Sequence, residues 1–331
     1  MPLSGNELTG TESPPPVVPP NNASSTRRRI GDSVFANSTR ASGFLILLIL
    51  AGVAAFLVIQ AWDSLAANTV NFFTSSEWEA NTRESPAFGI AALGFGTVLA
   101  AALALVMATP VAIGIALFIV YYAPRRLAAV LGYLVDLLAA IPSVVYGLWG
   151  IGWLVHQLLP AYAFMERYLG WIPLFAGPIS TTGRTILTAA IVLAVMILPI
   201  VTAISRDVFQ QVPTANREAS LALGATRWEM IRMSVLPYSS RGVIGGVMLG
   251  LGRALGETMA VAMVLSPSLV ASWFLLQSGN QTIAAHIALQ YPEATGYGVS
   301  ALIAAGLMLF VITLLVNMAA RLIVSRKGAM A

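Results

Sequence analysis

EASLALGATRWEMIRMSVLP, residues 218–237, is a polar stretch set between two apolar runs, Ile186–Ile204 before it and Gly242–Leu265 after it. At about 1.5 Å of rise per residue, each run as a helix is long enough to cross a hydrocarbon core of about 30 Å. The charged insert between them, residues 205–241, therefore has to lie in water at one membrane face. Local signals divide it into two short helices with a corner. Thr214 follows Pro213 and is placed to cap the first helix, and Gly224 supplies the left-handed residue that stops it. Thr226 with Glu229 has the spacing of a capping box for the second helix, which Pro237 is expected to end.

The rest of the composition agrees with a membrane setting. Of the 331 residues 57% are hydrophobic and 10% charged, with mean hydropathy +0.80. A soluble domain carries about a quarter of its residues as charges, so the chain reads as an all-α polytopic membrane protein. It contains no cysteine, which removes disulfides, iron–sulfur clusters and thiolate zinc sites. Lys327 is the sole lysine, and no Gly-Lys-Ser/Thr phosphate loop can be built around it. If ATP is used, another subunit binds it. No metal site, cofactor or catalytic cluster is expected: there is no HExxH, no GxSxG and no histidine cluster.

Six spans are expected: Phe44–Trp62, Phe88–Tyr122, Leu127–Leu159, Ile186–Ile204, Gly242–Leu265 and Gly298–Ile323. Residues 1–42 are rich in Pro, Ser, Thr and Asn and read as a disordered cytoplasmic tail. Arg27, Arg28, Arg29 and Arg40 precede the first span, which reads as an uncleaved anchor. Residues 43–87 make the first span and an acidic outer loop, 88–325 the transport domain, and 326–331 a cytoplasmic end. Fourteen of the 18 basic residues fall on one side of this scheme and three on the other, with Arg253 inside a span. The positive-inside rule then places both termini and residues 205–241 in the cytoplasm.

Several residues inside or beside the spans invite a role. Pro142, in AAIPSVVYG (139–147), frees a backbone carbonyl, and a structural kink and a pathway role stand as equal readings. Asp136 reads as a snorkelling acid or one paired near Arg125 and Arg126. Ser180, Thr181 or Thr182 is placed to cap the fourth span, where Arg184 is either solvated or part of an anion site. His286, in the amphipathic piece Gln281–Gln290, reads as an interface residue rather than a ligand.

The fifth span holds the polar pair Arg253 and Glu257. At about 100° per residue, Gly242, Gly246, Gly250, Arg253 and Glu257 fall within an arc of about 80°. Ile244, Val247, Met248, Leu251 and Leu255 occupy the opposite face, expected to meet lipid while the glycine arc meets protein. A mid-membrane arginine costs about 2.5–3.5 kcal/mol on insertion scales, which Glu257 one turn on can offset. Either this is a structural ion pair, or the guanidinium fork meets an oxyanion in transit and Glu257 holds it between passages.

The coupling segment of ABC importer permeases runs Glu-Ala-Ala, three residues, Gly, nine residues, Ile, one residue, Leu-Pro. The chain resembles it at Glu218, Ala219, Gly224, Leu236 and Pro237, and departs at Ser220 and Ser234, where the family usually has Ala and Ile. With GRALGET (252–258) and AAIPSVVYG, the chain closely resembles the permease subunits of the bacterial phosphate-specific ABC importer. FFTSSEW (72–78) is similar to the C-type of its two permeases. The resemblance covers residues 44–323. It implies a type I ABC importer permease fold and a permease moving inorganic phosphate across the bacterial plasma membrane. The expected partners are an A-type permease, two copies of an ATP-binding subunit and an external phosphate-binding protein. Arg253 and Glu257 are then the substrate-pathway residues, and 218–237 couples to the ATPase. A permease for sulfate or molybdate is the nearest alternative, because one arginine does not select among tetrahedral oxyanions. A membrane-tethered regulator would need the insert to read DNA. Spans clamp it at both ends and its second helix offers only Arg227 and Arg232 to phosphates, so no nucleic acid partner is expected.

Overall fold

The computed structural model describes residues 22–82 and 85–328. Residues 1–21 of the expected tail, together with Arg83 and Glu84, lie outside the described residues. Helix α1, Asn22–Ala67, opens the description. The tail expected through residue 42 is thus helical from Asn22 on. No proline stands between Pro20 and Pro86, and a helix already nucleated in the apolar segment extends backward at little cost. The contacts part the chain inside α1 into a body ending at Ala55 and another beginning at Phe56. Within the first body, Phe44 to Leu50 are exposed apolar residues on every side of the helix, the surface that lipid solvates.

In the second body, α2 (Ala91–Leu117), α6 (Ile186–Gln210), α9 (Leu236–Leu255) and α10 (Met259–Val264) build the core. Ala100, Ala104, Ala108, Ala112 and Ala116 recur one turn apart on α2, each at most 1% exposed. Such a ladder lets α6 approach closely, and α2 and α6 form the most extensive helix pair. The glycine arc of α9 does the same work on the other flank of α6. A β-carbon on Gly246 would meet Ile204, and one on Gly250 would meet Val201 and Ile197. The opposite face of α9 departs from expectation. Leu251 and Leu255 are 7% and 2% exposed because they join the core rather than lipid.

Among the described residues four helices are long and apolar enough to cross a membrane, or five if a bent pair counts as one span. That pair is the third expected span. It divides into α3 (Arg125–Ala139), α4 (Ser143–Trp149) and α5 (Val155–Leu169), with α3 bent 91° from the following segment. Pro142 stands at the corner. It lacks the N–H that would bond the Leu138 carbonyl, and the Tyr146 hydroxyl donates to that carbonyl instead at 2.9 Å. The fifth expected span is also broken, between α9 and α10 at residues 256–258. Helix α12, Tyr297–Gly328, closes the chain.

At the end of the body opposite residues 205–241 in sequence topology, a hairpin of β1 (Trp78–Glu79) and β2 (Ala87–Phe88) meets α11 (Ile283–Gln290). Thr282 caps α11, and the Ile283 N–H donates to Thr97 of α2 at 2.9 Å. His286 is 2% exposed, with its ring edge-on to Trp78 at 4.4 Å and its Nδ1 3.3 Å from Gln281 Oε1. Its Nε2 has no partner, and burial lowers the imidazole pKa to about 4. A neutral imidazole favours the folded state above the unfolded value of about 6.5, and that contribution is lost as pH falls towards about 4. Thermal unfolding scans between those limits are expected to show stability falling with pH, and His286→Leu is expected to flatten the dependence.

Candidate functional site

The candidate residues of the sequence fall in two places: the elbow after α6 and the broken helix near Arg253. In the elbow, α7 spans Thr214–Ala222. Thr214 is its first helical residue, and no side chain caps it, because Pro213 takes the preceding position. Gly224 turns the corner at φ +87°, in the left-handed region. Thr226 and Glu229 then form the capping box in full, opening α8 (Arg227–Met230). The carboxylate of Glu229 is held below its ordinary pKa by the Thr226 backbone N–H and hydroxyl.

Pro237 does not end the second helix. Residues 231–235 widen into a π-turn, with the Leu236 N–H bonded to the Ile231 carbonyl, and the helix continues as α9. A proline clashes with the carbonyl four residues before it, and the wider turn relieves that clash. The elbow is thus continuous with the helix that carries Arg253. At its tip Leu223 is 90% exposed and Trp228 57% exposed. Sequence reasoning passed over both. The available signal was an apolar residue set directly beside the glycine corner in an otherwise polar stretch.

The second place is where the two broken helices meet. Helix α4 packs on α10, and a β-carbon on Gly147 would stand 2.9 Å from the Ala260 Cα. The motifs AAIPSVVYG and GRALGET, distant in sequence, are therefore neighbours. Arg253 lies in the last turn of α9 and is exposed. Glu257 is 8% exposed, and its Oε1 accepts from the Ala260 N–H at 3.1 Å. The two do not form the ion pair expected of residues one turn apart. Because the helix stops between them, each complements a different helix end, the cation at the C-terminus of α9 and the carboxylate at the N-terminus of α10. The guanidinium is left without a carboxylate partner on its own helix. It stands on the same arc as Gly246 and Gly250 but past their contact with α6, and is exposed there beside Gly252, whose β-carbon would meet nothing within 4 Å.

Arg184 is half-buried and turned onto backbone rather than held in solvent alone. Its guanidinium donates to the carbonyls of Met263 at 3.2 Å, Val264 at 3.4 Å and Leu265 at 2.6 Å, closing the C-terminus of α10. The cap of α6 is Thr185, which accepts from the Thr188 N–H, rather than Ser180, Thr181 or Thr182. Arg184→Gln is expected to lower stability by about 2 kcal/mol, the worth of a charge-assisted bond to these carbonyls, as read by thermal unfolding. Asp136 is paired, but with Arg206 at 3.3 Å rather than Arg125 or Arg126. Arg206 reaches it across Gly132, where any β-carbon would crowd the guanidinium at 3.0 Å. Among the described residues no group of acidic or histidine side chains is placed to hold a metal ion.

Residues 108–328 match the family model described as the binding-protein-dependent transport system inner membrane component. The phosphate transport system permease protein PstC 2 of Mycobacterium tuberculosis is 49% identical over 306 residues, covering 90% of this chain and 93% of that one. PstC of Mycobacterium leprae is 48% identical, with 82% and 86% covered, and PstC of Mesorhizobium japonicum 42% identical, with 90% and 91% covered. Among solved structures, a chain of the inward-facing MetNI methionine ABC transporter is 20% identical with a TM-score of 0.49, covering 72% of this chain and 94% of that one.

Proposed function

The chain belongs to the inner membrane components of binding-protein-dependent transport systems, and we propose from that premise that it is the permease subunit of an ATP-driven phosphate importer. The observation that carries the substrate is the 49% identity to a phosphate permease along nearly the whole of both chains. The chain is a multi-pass membrane protein, and its family implies a separate ATP-binding subunit and a substrate-binding protein. The finer assembly is an A-type permease beside this C-type chain, two copies of the ATP-binding subunit and an external phosphate-binding protein. Both termini and the elbow face the cytoplasm in six crossings, supported by the distribution of basic residues.

The ATP-binding subunit docks on the elbow, at Glu218, Ala219, Gly224, Leu236 and Pro237. The apolar side chains of Leu223 and Trp228 at the tip lose their exposure in that contact. Because the elbow runs into α9 without a stop, a push on its tip reaches Arg253 along one helix. Arg253 lines the substrate pathway, and its five donors suit the oxygens of phosphate. Glu257 serves the pathway by fixing the start of α10, so that the break stays open beside Arg253.

The chain, reconstituted in vesicles with its partners, is expected to take up labelled phosphate when ATP is supplied inside. Labelled sulfate under the same conditions is expected to remain outside. Sulfate uptake matching that of phosphate would discard the substrate assignment.

A further inference from the structure

Helix α7 has no buried residue. Apolar packing, which holds most short surface helices, therefore cannot fix it. Two polar contacts reach it from different neighbours. On one side the Ser220 hydroxyl lies 2.6 Å from the Ser234 hydroxyl in the π-turn of the second coupling helix. Both hydroxyls also reach the Asn216 carbonyl, Ser220 at 3.0 Å and Ser234 at 3.4 Å. On the other side the Arg217 guanidinium stands 5.8 Å from the centroid of the Tyr121 ring, at the end of the α2 span. The Nε of Arg217 is buried without a hydrogen-bond partner, so the ring face has to offset its lost hydration. Tyr121 is itself fixed, its hydroxyl donating to the Phe209 carbonyl of α6 at 2.9 Å.

We propose that these two contacts are the positioning residues of transport: Ser220 with Ser234 ties α7 to the helix leading to Arg253, and Arg217 with Tyr121 ties it to the ends of α2 and α6. Movement imposed on α7 is then delivered to three membrane helices together. The two departures from the family's coupling pattern, at Ser220 and Ser234, compensate each other. A hydroxyl facing an isoleucine, or an alanine facing a lone hydroxyl, would keep only its bond to the Asn216 carbonyl and lose the bond between the two helices; two facing hydroxyls supply both. The inference rests on the reading of the elbow as the ATPase dock.

The test has two arms. In the purified chain, hydrogen exchange is followed at the amides of 214–223, which needs no partner subunit. Ser220→Ala and Tyr121→Leu are each expected to speed exchange there about fivefold, the factor that one net contact of this strength provides. Tyr121→Phe, which keeps the ring face but loses the hydroxyl's bond to the Phe209 carbonyl, is expected to fall between the unsubstituted chain and Tyr121→Leu. The double variant Ser220→Ala with Ser234→Ile, which restores an apolar contact, is expected to recover most of the protection. In the reconstituted importer, the variants with fast exchange are expected to hydrolyse more ATP per phosphate moved, and the double variant less than Ser220→Ala alone. Unchanged exchange in both single variants overturns the fastening. Fast exchange with an unchanged ratio of phosphate to ATP overturns its part in transport. If the unsubstituted chain fails to capture the ATP-binding subunit at all, the docking reading falls, while the exchange arm still decides the fastening.

Discussion

Arg253→Gln is expected to lower phosphate uptake by about two orders of magnitude while the complex still assembles and still hydrolyses ATP. Glutamine keeps length and polarity but removes the charge and the planar fork. A charge-assisted hydrogen bond contributes up to about 3 kcal/mol, and about 1.4 kcal/mol corresponds to a factor of ten. The side chain is exposed at the end of α9 and carries no ion pair with Glu257, so its loss leaves no buried carboxylate without a partner. Assembly should survive for that reason. Arg253→Lys separates charge from geometry: if the fork matters, lysine restores only part of the uptake. Normal uptake by the glutamine variant, measured with labelled phosphate in vesicles, would remove Arg253 from the pathway.

Gly147→Leu is expected to lower thermal stability by about 1–3 kcal/mol or more, and to abolish uptake with it. A β-carbon at this position stands 2.9 Å from the Ala260 Cα and 2.9 Å from the Met263 Sδ. The methionine can swing aside, but the Cα belongs to the backbone of α10 and cannot. A leucine therefore forces α4 away from α10, next to the break that sets Arg253 and Glu257. Gly114→Ala is the control. Nothing lies within 4 Å of its β-carbon, and alanine is the better helix former, so stability should hold or rise slightly. Equal unfolding temperatures for Gly147→Leu and the unsubstituted chain would refute the close approach of α4 and α10.

The residues themselves announced the elbow. Gly224 turns at positive φ, and Thr226 with Glu229 forms the capping box, because each signal acts between residues no more than a few positions apart. The glycines of α9 likewise predicted a close helix neighbour, since the absence of a side chain is a local fact with a packing consequence. Composition and length alone required helices that cross a membrane. Pro237 shows where local reading ends. A proline forbids one hydrogen bond but does not say whether the chain stops or widens by one residue; the helix widens here, and Ile231 and Val235 of the π-turn are buried with Phe209 of α6.

Other outcomes were set by contacts across the chain. Helical periodicity placed Arg253 and Glu257 on one arc, but the helix ends between them, and two opposed helix ends divided a pair that the spacing had joined. Arg184 was legible as a lone arginine near a helix start. Only the tertiary structure brought to it the three carbonyls of α10, some 80 residues away in sequence, that absorb its charge. Asp136 found Arg206 rather than its sequence neighbours because Gly132 leaves a path across the helix surface. Spacing along a chain determines what each residue can offer. Which partner takes the offer depends on where breaks and small residues allow distant helices to approach, and that is a property of the packed whole.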